Sequence, residues 1–465
     1  MLLTDFLIVA LFLVGVGLFR SPKGALYGNG VAALALLLAG LSVALQKNLF
    51  DLGWLALALV LGSTTGWWRA VRSNMAQIPA LIAFQHGAGG MAAFIVSLVE
   101  LIYRPDSAGT AAKASGLFGM VLGAATFSAS MLASGRLSGW LGQKPVVWRR
   151  HHLLVVLTSL AAVGMAVAGA SQTGGPRVAA LAVALVLAAL LGLVFAVRVG
   201  GADMPVLISF LNATSGLAAA ASGLIVDNRL LVAAGAAVAA SGLVLTMAMC
   251  QAMNRGLNQV LWGRDAGSAG SPTDQLPAAP TPVKEAEKDH WGSAVAACRE
   301  ARSVIIVPGY GIALADAHHE VARLARWFEE AGKDVQFAIH PVAGRMPGHM
   351  HVLLAEADVP YTKLCDMDQI NGDFAGTDLA IIVGASDVVN PAATSLPGTP
   401  ISGMPILEAH RARTVLVFNL DSRPGYSGVQ NLLYEKPNAL LLWGDAKENL
   451  ARLVDRLGAC AAATA

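Results

Sequence analysis

"RDAGSAGSPTDQLPAAPTPVKEAEKDH", residues 264–290, divides the chain in two. Proline, alanine, glycine and charged residues fill it and no apolar period runs through it, so it reads as a flexible linker. The two sides have different compositions. Upstream, residues 1–263 are long apolar runs broken by short polar connectors; downstream, residues 291–465 alternate short β-branched runs with charged amphipathic stretches. The chain is therefore expected to be an all-α polytopic membrane bundle followed by an α/β, doubly wound, Rossmann-like domain.

The bulk numbers agree with the upstream reading. Of 465 residues, 55% are hydrophobic and only 13% charged, with a mean hydropathy of +0.59. That is the composition of a protein that lives in a lipid bilayer. A net charge of +2 gives no footing to a polyanionic partner, and no nucleic acid is expected. Cys250, Cys298, Cys365 and Cys460 show no Cys-x-x-Cys or Cys/His spacing, so neither a disulfide frame nor a metal site is expected. The first residues, "MLLTDFLIVALFLVGVGLFR", lack a basic start and a small-residue cleavage site; they read as a retained membrane helix.

Nine runs approach the ~20 apolar residues that cross a hydrocarbon core of about 30 Å. They fall at 3–19, 30–46, 52–68, 78–103, 115–134, 152–171, 178–197, 203–226 and 230–250. Their glycine and alanine content and lack of dyad alternation make them closely packed helices, not barrel strands. The odd-numbered connectors hold Arg20, Lys23, Arg69, Arg72, Arg136, Lys144, Arg149, Arg150, Arg198, Arg255 and Arg264. The even-numbered ones hold only Lys47, Arg104, Lys113, Arg177 and Arg229. That asymmetry places the C-terminal side in the cytoplasm.

Within the runs, polar residues are the informative ones. "GGADMP" reads as a helix start, with Asp203 at the N-cap and Pro205 in the first turn, so capping is its simplest role. Asn212 lies nine residues further in, about 13 Å deep at 1.5 Å per residue. His86 lies eight residues into the fourth run, about 12 Å from the same side. Both stand near the bilayer midplane, where polar groups line cavities and mark pathways, the alternative being a plain helix–helix hydrogen bond. Histidine titrates near neutral pH, which makes His86 the natural proton carrier; Asn212 can orient it or a water. Asp203 and Asn212, about 900° apart on one helix, point in opposite directions.

In the downstream half, "SVIIVPG", "DVQFAIH", "DLAIIVGAS", "TVLVFNL" and "NALLLWGD" read as strands. "ADAHHEVARLARWFEEAG" and "AKENLARLVDRLG" read as helices between and after them. A doubly wound sheet binds its ligand at the carboxyl ends of the strands. Those ends are where glycine and charge collect. "PGYGIALADA" supplies Gly309, Tyr310 and Gly311; "HPVAGRMPG" supplies Ala343, Gly344, Arg345 and Pro347; "VGASDVVNPA" supplies Gly384, Ala385 and Asp387. "NLDSRPGYSG" adds Asn419, Asp421, Arg423, Gly425 and Tyr426, and "WGDAK" adds Gly444 and Asp445. Five such loops on one edge point to a nucleotide site, with the glycines admitting a pyrophosphate and Arg345 available to it. No acidic residue closes the second strand, where His340 stands, so the ordinary NAD fingerprint is not met.

Taken together, "VGGADMPVLISFLNATSG", "MAMCQAMNR", "VPGYGIALADA", "HPVAGRMPGHMHVLLAEADVPY", "GASDVVNPAA" and "GYSGVQN" resemble the β subunit of the proton-translocating NAD(P) transhydrogenases, and the likeness runs the length of the chain. The resemblance implies reversible hydride transfer from NADH to NADP+ coupled to inward proton movement across a bacterial-type inner membrane. It implies that NADP(H) is bound by this chain, and NAD(H) by a partner α subunit that also carries membrane helices, in a dimer of α/β units. It implies that His86 and Asn212 serve the proton pathway, that Asp203 couples it to the nucleotide domain, and that Asp387 acts near the nicotinamide. One departure stands out: the family's Lys-Arg-Ser run that clamps the 2′-phosphate is replaced here by Asn419-Leu420-Asp421. Arg423, two residues on, is available to compensate, as is Arg345 from the loop after the second strand. A secondary transporter with a nucleotide-sensing domain, and a non-catalytic membrane subunit, remain the other classes the residues allow.

Overall fold

The structure is a computed structural model that describes residues 2–18, 22–46, 52–103, 109–142, 145–262 and 290–462. Of the linker only His290 is among them; Arg20, Lys47, Arg104, Lys144 and Arg264, which entered the orientation count, lie outside the described residues. The chain separates into two compact units, residues 1–200 with 207–246, and residues 201–206 with 247–465.

The first unit is helical. Its elements are α1 (Leu2–Leu18), α2 (Pro22–Gln46), α3 (Leu52–Arg72), α4 (Ile78–Tyr103), α5 (Thr110–Leu137), α6 (His151–Ala170), α7 (Gly174–Val197), α8 (Met204–Ile225) and α9 (Arg229–Ala252), the last two beginning or ending in the second unit. Helices therefore occupy all nine predicted runs, but among the described residues only seven are long and apolar enough to span a bilayer. The nine-span expectation is a slight overcount. At 17 residues α1 reaches about 25 Å, short of the hydrocarbon thickness. Helix α3 is diluted by Ser63, Thr64, Thr65, Arg69 and Arg72.

Small residues set the packing of this unit. A Cβ built on Gly90 would lie 2.8 Å from the Gly123 carbonyl, and one on Gly123 would lie 2.7 Å from that of Gly90, so α4 and α5 touch backbone to backbone. Hydroxyls then join helices where no water can. Ser97 and Ser222 are 2.9 Å apart, linking α4 to α8, and Thr126 donates to Thr214 at 3.0 Å, linking α5 to α8. Ser128 donates to the Ala189 carbonyl of α7 at 2.7 Å.

The second unit contains α10 (Leu257–Trp262), α11 (His290–Glu300), β1 (Ser303–Pro308), α12 (Tyr310–Leu314), α13 (His318–Glu330), β2 (Asp334–Ile339) and α14 (His349–Glu356). It continues through β3 (Leu364–Asp366), α15 (Met367–Ile370), β4 (Leu379–Val383), α16 (Ala392–Ser395), β5 (Thr414–Asn419), β6 (Ala439–Trp443) and α17 (Ala446–Ala462). The six strands form one sheet in the order β3-β2-β1-β4-β5-β6, and every pairing is parallel. Strands buried on both faces need continuous apolar runs: β4 is buried at all five residues, and β1 and β5 at all but their first. Helix α13 closes one face with Val321, Leu324, Ala325 and Phe328, spaced for a single stripe. The order reverses between β1 and β4, so the switch point of the sheet, where folds of this kind bind ligands, lies at the carboxyl ends of these two strands.

Candidate functional site

Four loops meet at that reversal, one from each of β1, β4, β2 and β5. A Cβ on Gly309 would lie 2.5 Å from the Ala385 backbone, so the β1 and β4 loops pack with no room for side chains between them. The amide of Gly309 donates to the Val383 carbonyl at 2.8 Å and that of Gly311 to the Gly384 carbonyl at 2.9 Å, which ties these amides to the neighbouring loop. Gly384 itself needs a left-handed backbone, φ +64°. The turn does run into a helix, but a short one, since α12 stops at Leu314 and α13 begins afresh at His318.

Arg345, from the loop after β2, is buried with its guanidinium carbon 4.6 Å from the Tyr310 ring centre and 4.8 Å from that of Tyr426. It also donates to the Tyr426 hydroxyl. A β2 loop and a β5 loop thus meet above the ends of β1 and β4, with a cation stacked between two rings. Burial pushes the Tyr310 hydroxyl pKa up, with the Arg345 charge opposing it. Asp387, after β4, accepts the Ser427 amide at 3.0 Å and the Ser427 hydroxyl at 2.6 Å, so it anchors the same β5 loop. Burial raises the Asp387 pKa above the usual carboxylate range, and the Ser427 bonds pull it back. Gly425 is required beside it, because a Cβ there would stand 2.7 Å from the carboxylate.

At the end of β5, Asn419 donates to the Ala385 carbonyl at 2.9 Å and to the Tyr434 hydroxyl at 2.7 Å. Its buried Oδ1 has no hydrogen-bond partner among the described residues. Such an orphaned acceptor is what a bound hydroxyl or amide would satisfy. Two residues on, the Asp421 carboxylate accepts from Arg423 Nε at 2.7 Å and from the Arg423 amide at 2.9 Å, and Arg423 holds its pKa down. Asp445 receives the amides of Lys447 and Glu448 at the start of α17, so its carboxylate caps that helix. Gly444, at φ +133°, and Pro347 shape their turns.

The membrane-side candidates lie elsewhere in the chain. In α4 and α8, Gly89 approaches Ser215, and Ser97 bonds Ser222, so the two helices run parallel and in step. His86 and Asn212, each three residues earlier, therefore stand at the same level. Both are half-buried, and among the described residues neither side chain hydrogen-bonds a protein group. Asp203 belongs to the second unit, in a 3₁₀ turn before α8, and is paired with Arg255 at 2.5 Å. Burial raises its pKa, with Arg255 opposing.

Compared with known families, residues 2–456 match the model described as NAD(P) transhydrogenase beta subunit. The chain belongs to that family. A NAD(P) transhydrogenase subunit beta from Rhodospirillum rubrum is 38% identical over 454 residues, covering 96% of this chain and 97% of its own length. The same-named subunit from a strain of that organism gives the same figures.

As a transhydrogenase β-subunit family member, the chain brings together Tyr310, Arg345, Asp387, Gly425 and Tyr426 at the switch point, with Asn419 at the end of β5. Asp445 faces its own helix, and Asp421 is engaged by Arg423. Sequence reading passed over Ser427, which holds Asp387, and it counted Arg255 only as a loop charge. Neither carried a local signal: Ser427 lies 40 residues from Asp387, and Arg255 lies 52 from Asp203.

Proposed function

We propose that this chain is the NADP(H)-binding, proton-translocating subunit of a transhydrogenase that moves hydride reversibly between NADH, held on a partner α subunit, and NADP+. Residues 291–465 bind the nucleotide and lie in the cytoplasm; residues 1–263 carry protons inward across a bacterial-type inner membrane; two α/β units form the working dimer. The observation that supports this reading best is the convergence of Tyr310, Arg345, Asp387 and Tyr426 from four strand ends at the switch point of the sheet.

The residues fit a dinucleotide. Arg345, flanked by Ala343 and Gly344, is the counter-charge for a pyrophosphate, and Gly309, Gly311 and Gly384 bring the β1 and β4 loops backbone to backbone beside it. Bound NADP+ supplies the hydride-accepting ring; the protein supplies position and field. Asp387 and Tyr310 orient that end. Because Asp387 also accepts the Ser427 hydroxyl, the carboxylate fixes the β5 loop beside that end. His86 takes up a proton at the level of Asn212, and Asp203 passes the change to the nucleotide domain as a difference in affinity between two states. Reduction of an NADP+ analogue by NADH, followed in membranes containing this chain and its α partner, tests the assignment. Transfer is expected only with both subunits present. Solute flux without redox turnover would contradict it in favour of a nucleotide-sensing transporter.

A further inference from the structure

The Asp203–Arg255 pair does not stand alone. With side chains 15% and 26% exposed, it pins the turn before α8 to the turn between α9 and α10. Three residues past Asp203, Val206 is fully buried against Met249, Cys250 and Val260, and Met253, Leu257 and Val342 pack on that cluster. Five of those partners come from the end of α9 through α10. Val342 does not: it belongs to the turn after β2, three residues before Arg345.

A second contact lands beside the first. A Cβ on Gly403 would lie 2.5 Å from Asn254 Nδ2, so the Asn254 amide occupies the space that any larger residue at 403 would need. The two landing points are bolted together. His340 accepts the Val342 amide on Nδ1 at 3.2 Å and donates from Nε2 to the Pro405 carbonyl at 2.9 Å. Beyond Val342 the turn has little slack, because Gly344 is held at φ +102° with its α-carbon packed against His349, and the Arg345 amide donates to His349 Nδ1 at 3.1 Å. A tightly packed turn of this kind shifts as a unit. At the other end, α8 is continuous from Val206 to Asn212, six residues further along.

We propose that Val342, with the Asn254–Gly403 contact beside it, is the joint through which the state of the Asp203–Arg255 pair reaches the loop that carries Arg345. This rests on the coupled-transhydrogenase reading above and names the positioning residue it lacks. Val342 touches no reacting group; it carries a shift of the Asp203–Arg255 pair to the turn that holds Arg345, whose resting position is set by His349, Tyr310 and Tyr426. Coupling through such a joint requires the bolted 340–345 and 401–405 turns to move together between two arrangements that both sites bias.

The test uses the complete α/β complex in vesicles and reads the ratio of hydride-transfer rates with and without an imposed proton gradient. In Val342→Ala this ratio falls at least threefold, while the rate without a gradient and the NADP+ dissociation constant stay within about twofold of wild type. Val342→Ile restores the ratio, and Asn254→Gly, which removes the amide and keeps the left-handed backbone at 254, lowers it. An unchanged ratio in Val342→Ala overturns the proposal, as does a ratio that Val342→Ile fails to restore. A second measurement needs no turnover. In the intact chain, Asp203→Asn changes amide exchange across residues 340–348 at least threefold, and Val342→Ala abolishes that response; exchange indifferent to Asp203→Asn overturns the joint. A wild-type complex that transfers no hydride would instead sink the proposed function, and the exchange measurement would still decide the joint.

Discussion

Asp421 and Arg423 carry the least expected chemistry of the site. A carboxylate now stands where a phosphate-binding cation run would serve NADP, and Arg423 beside it is engaged by that carboxylate. A 2′-phosphate must compete with Asp421 for Arg423 and is repelled by the same carboxylate. At this exposed position, removing one like charge is worth about 1 kcal/mol, roughly fivefold in affinity. Asp421→Asn is therefore expected to tighten NADP+ about fivefold and leave NAD+ unchanged, measured by calorimetric titration of the purified chain; equal effects on both would contradict the assignment of Asp421 to the 2′-phosphate. Asp387→Ala removes the acceptor of both Ser427 bonds. Bonds to a charged acceptor are worth about 1.5–3 kcal/mol, so NADP+ affinity should fall roughly tenfold or more in the same titration. The residue types at these positions were readable from glycine and proline punctuation at the strand ends. Their pairings were not, because Ser427 and Arg255 reach their partners only through the fold.

The turn after β2 is held by a neutral histidine. Burial pushes the His340 pKa down to about 4 from its ordinary 6.5, the Pro405 hydrogen bond opposing. The neutral ring is the form that accepts the Val342 amide. Since the folded pKa is depressed, this contribution is complete above pH 6.5 and is lost as pH falls toward 4. Integrated over that interval it is on the order of 3 kcal/mol. Denaturant midpoints of the extramembrane unit should drop between pH 7 and pH 4.5, and drop less in His340→Gln. Gly309→Ala forces a methyl into the Ala385 backbone, so the β1 and β4 loops must part; NADP+ binding should weaken at least tenfold while the helical unit keeps its circular dichroism. At this scale the long apolar strands were legible because burial on both faces demands continuous hydrophobic runs. Strand β3 was not, being three residues long and written Leu364-Cys365-Asp366. The count of spanning helices erred for a related reason: apolar composition alone did not register the shortness of α1 or the polar dilution of α3.

Over the whole molecule, the chain pairs a helical unit holding His86 and Asn212 at one level with a parallel-sheet unit whose strand ends gather Tyr310, Arg345, Asp387 and Tyr426. Helices α8 and α9 belong to both units, and the Asp203–Arg255 pair ties them where they enter the second. The change from long apolar helices to a parallel-sheet unit was legible in the composition, whereas the collar between α8, α9 and α10 was not, since its residues look like ordinary helix ends. The account stands on proton movement and hydride transfer being one process that passes through His86. Vesicles containing this chain and its α partner, loaded with a pH-sensitive dye, measure both at once as NADH reduces an NADP+ analogue. In the wild type the pH change is expected to track hydride transfer, and in His86→Ala to vanish with NADP+ binding retained; a pH change of wild-type size in His86→Ala would overturn the role of His86 in proton movement.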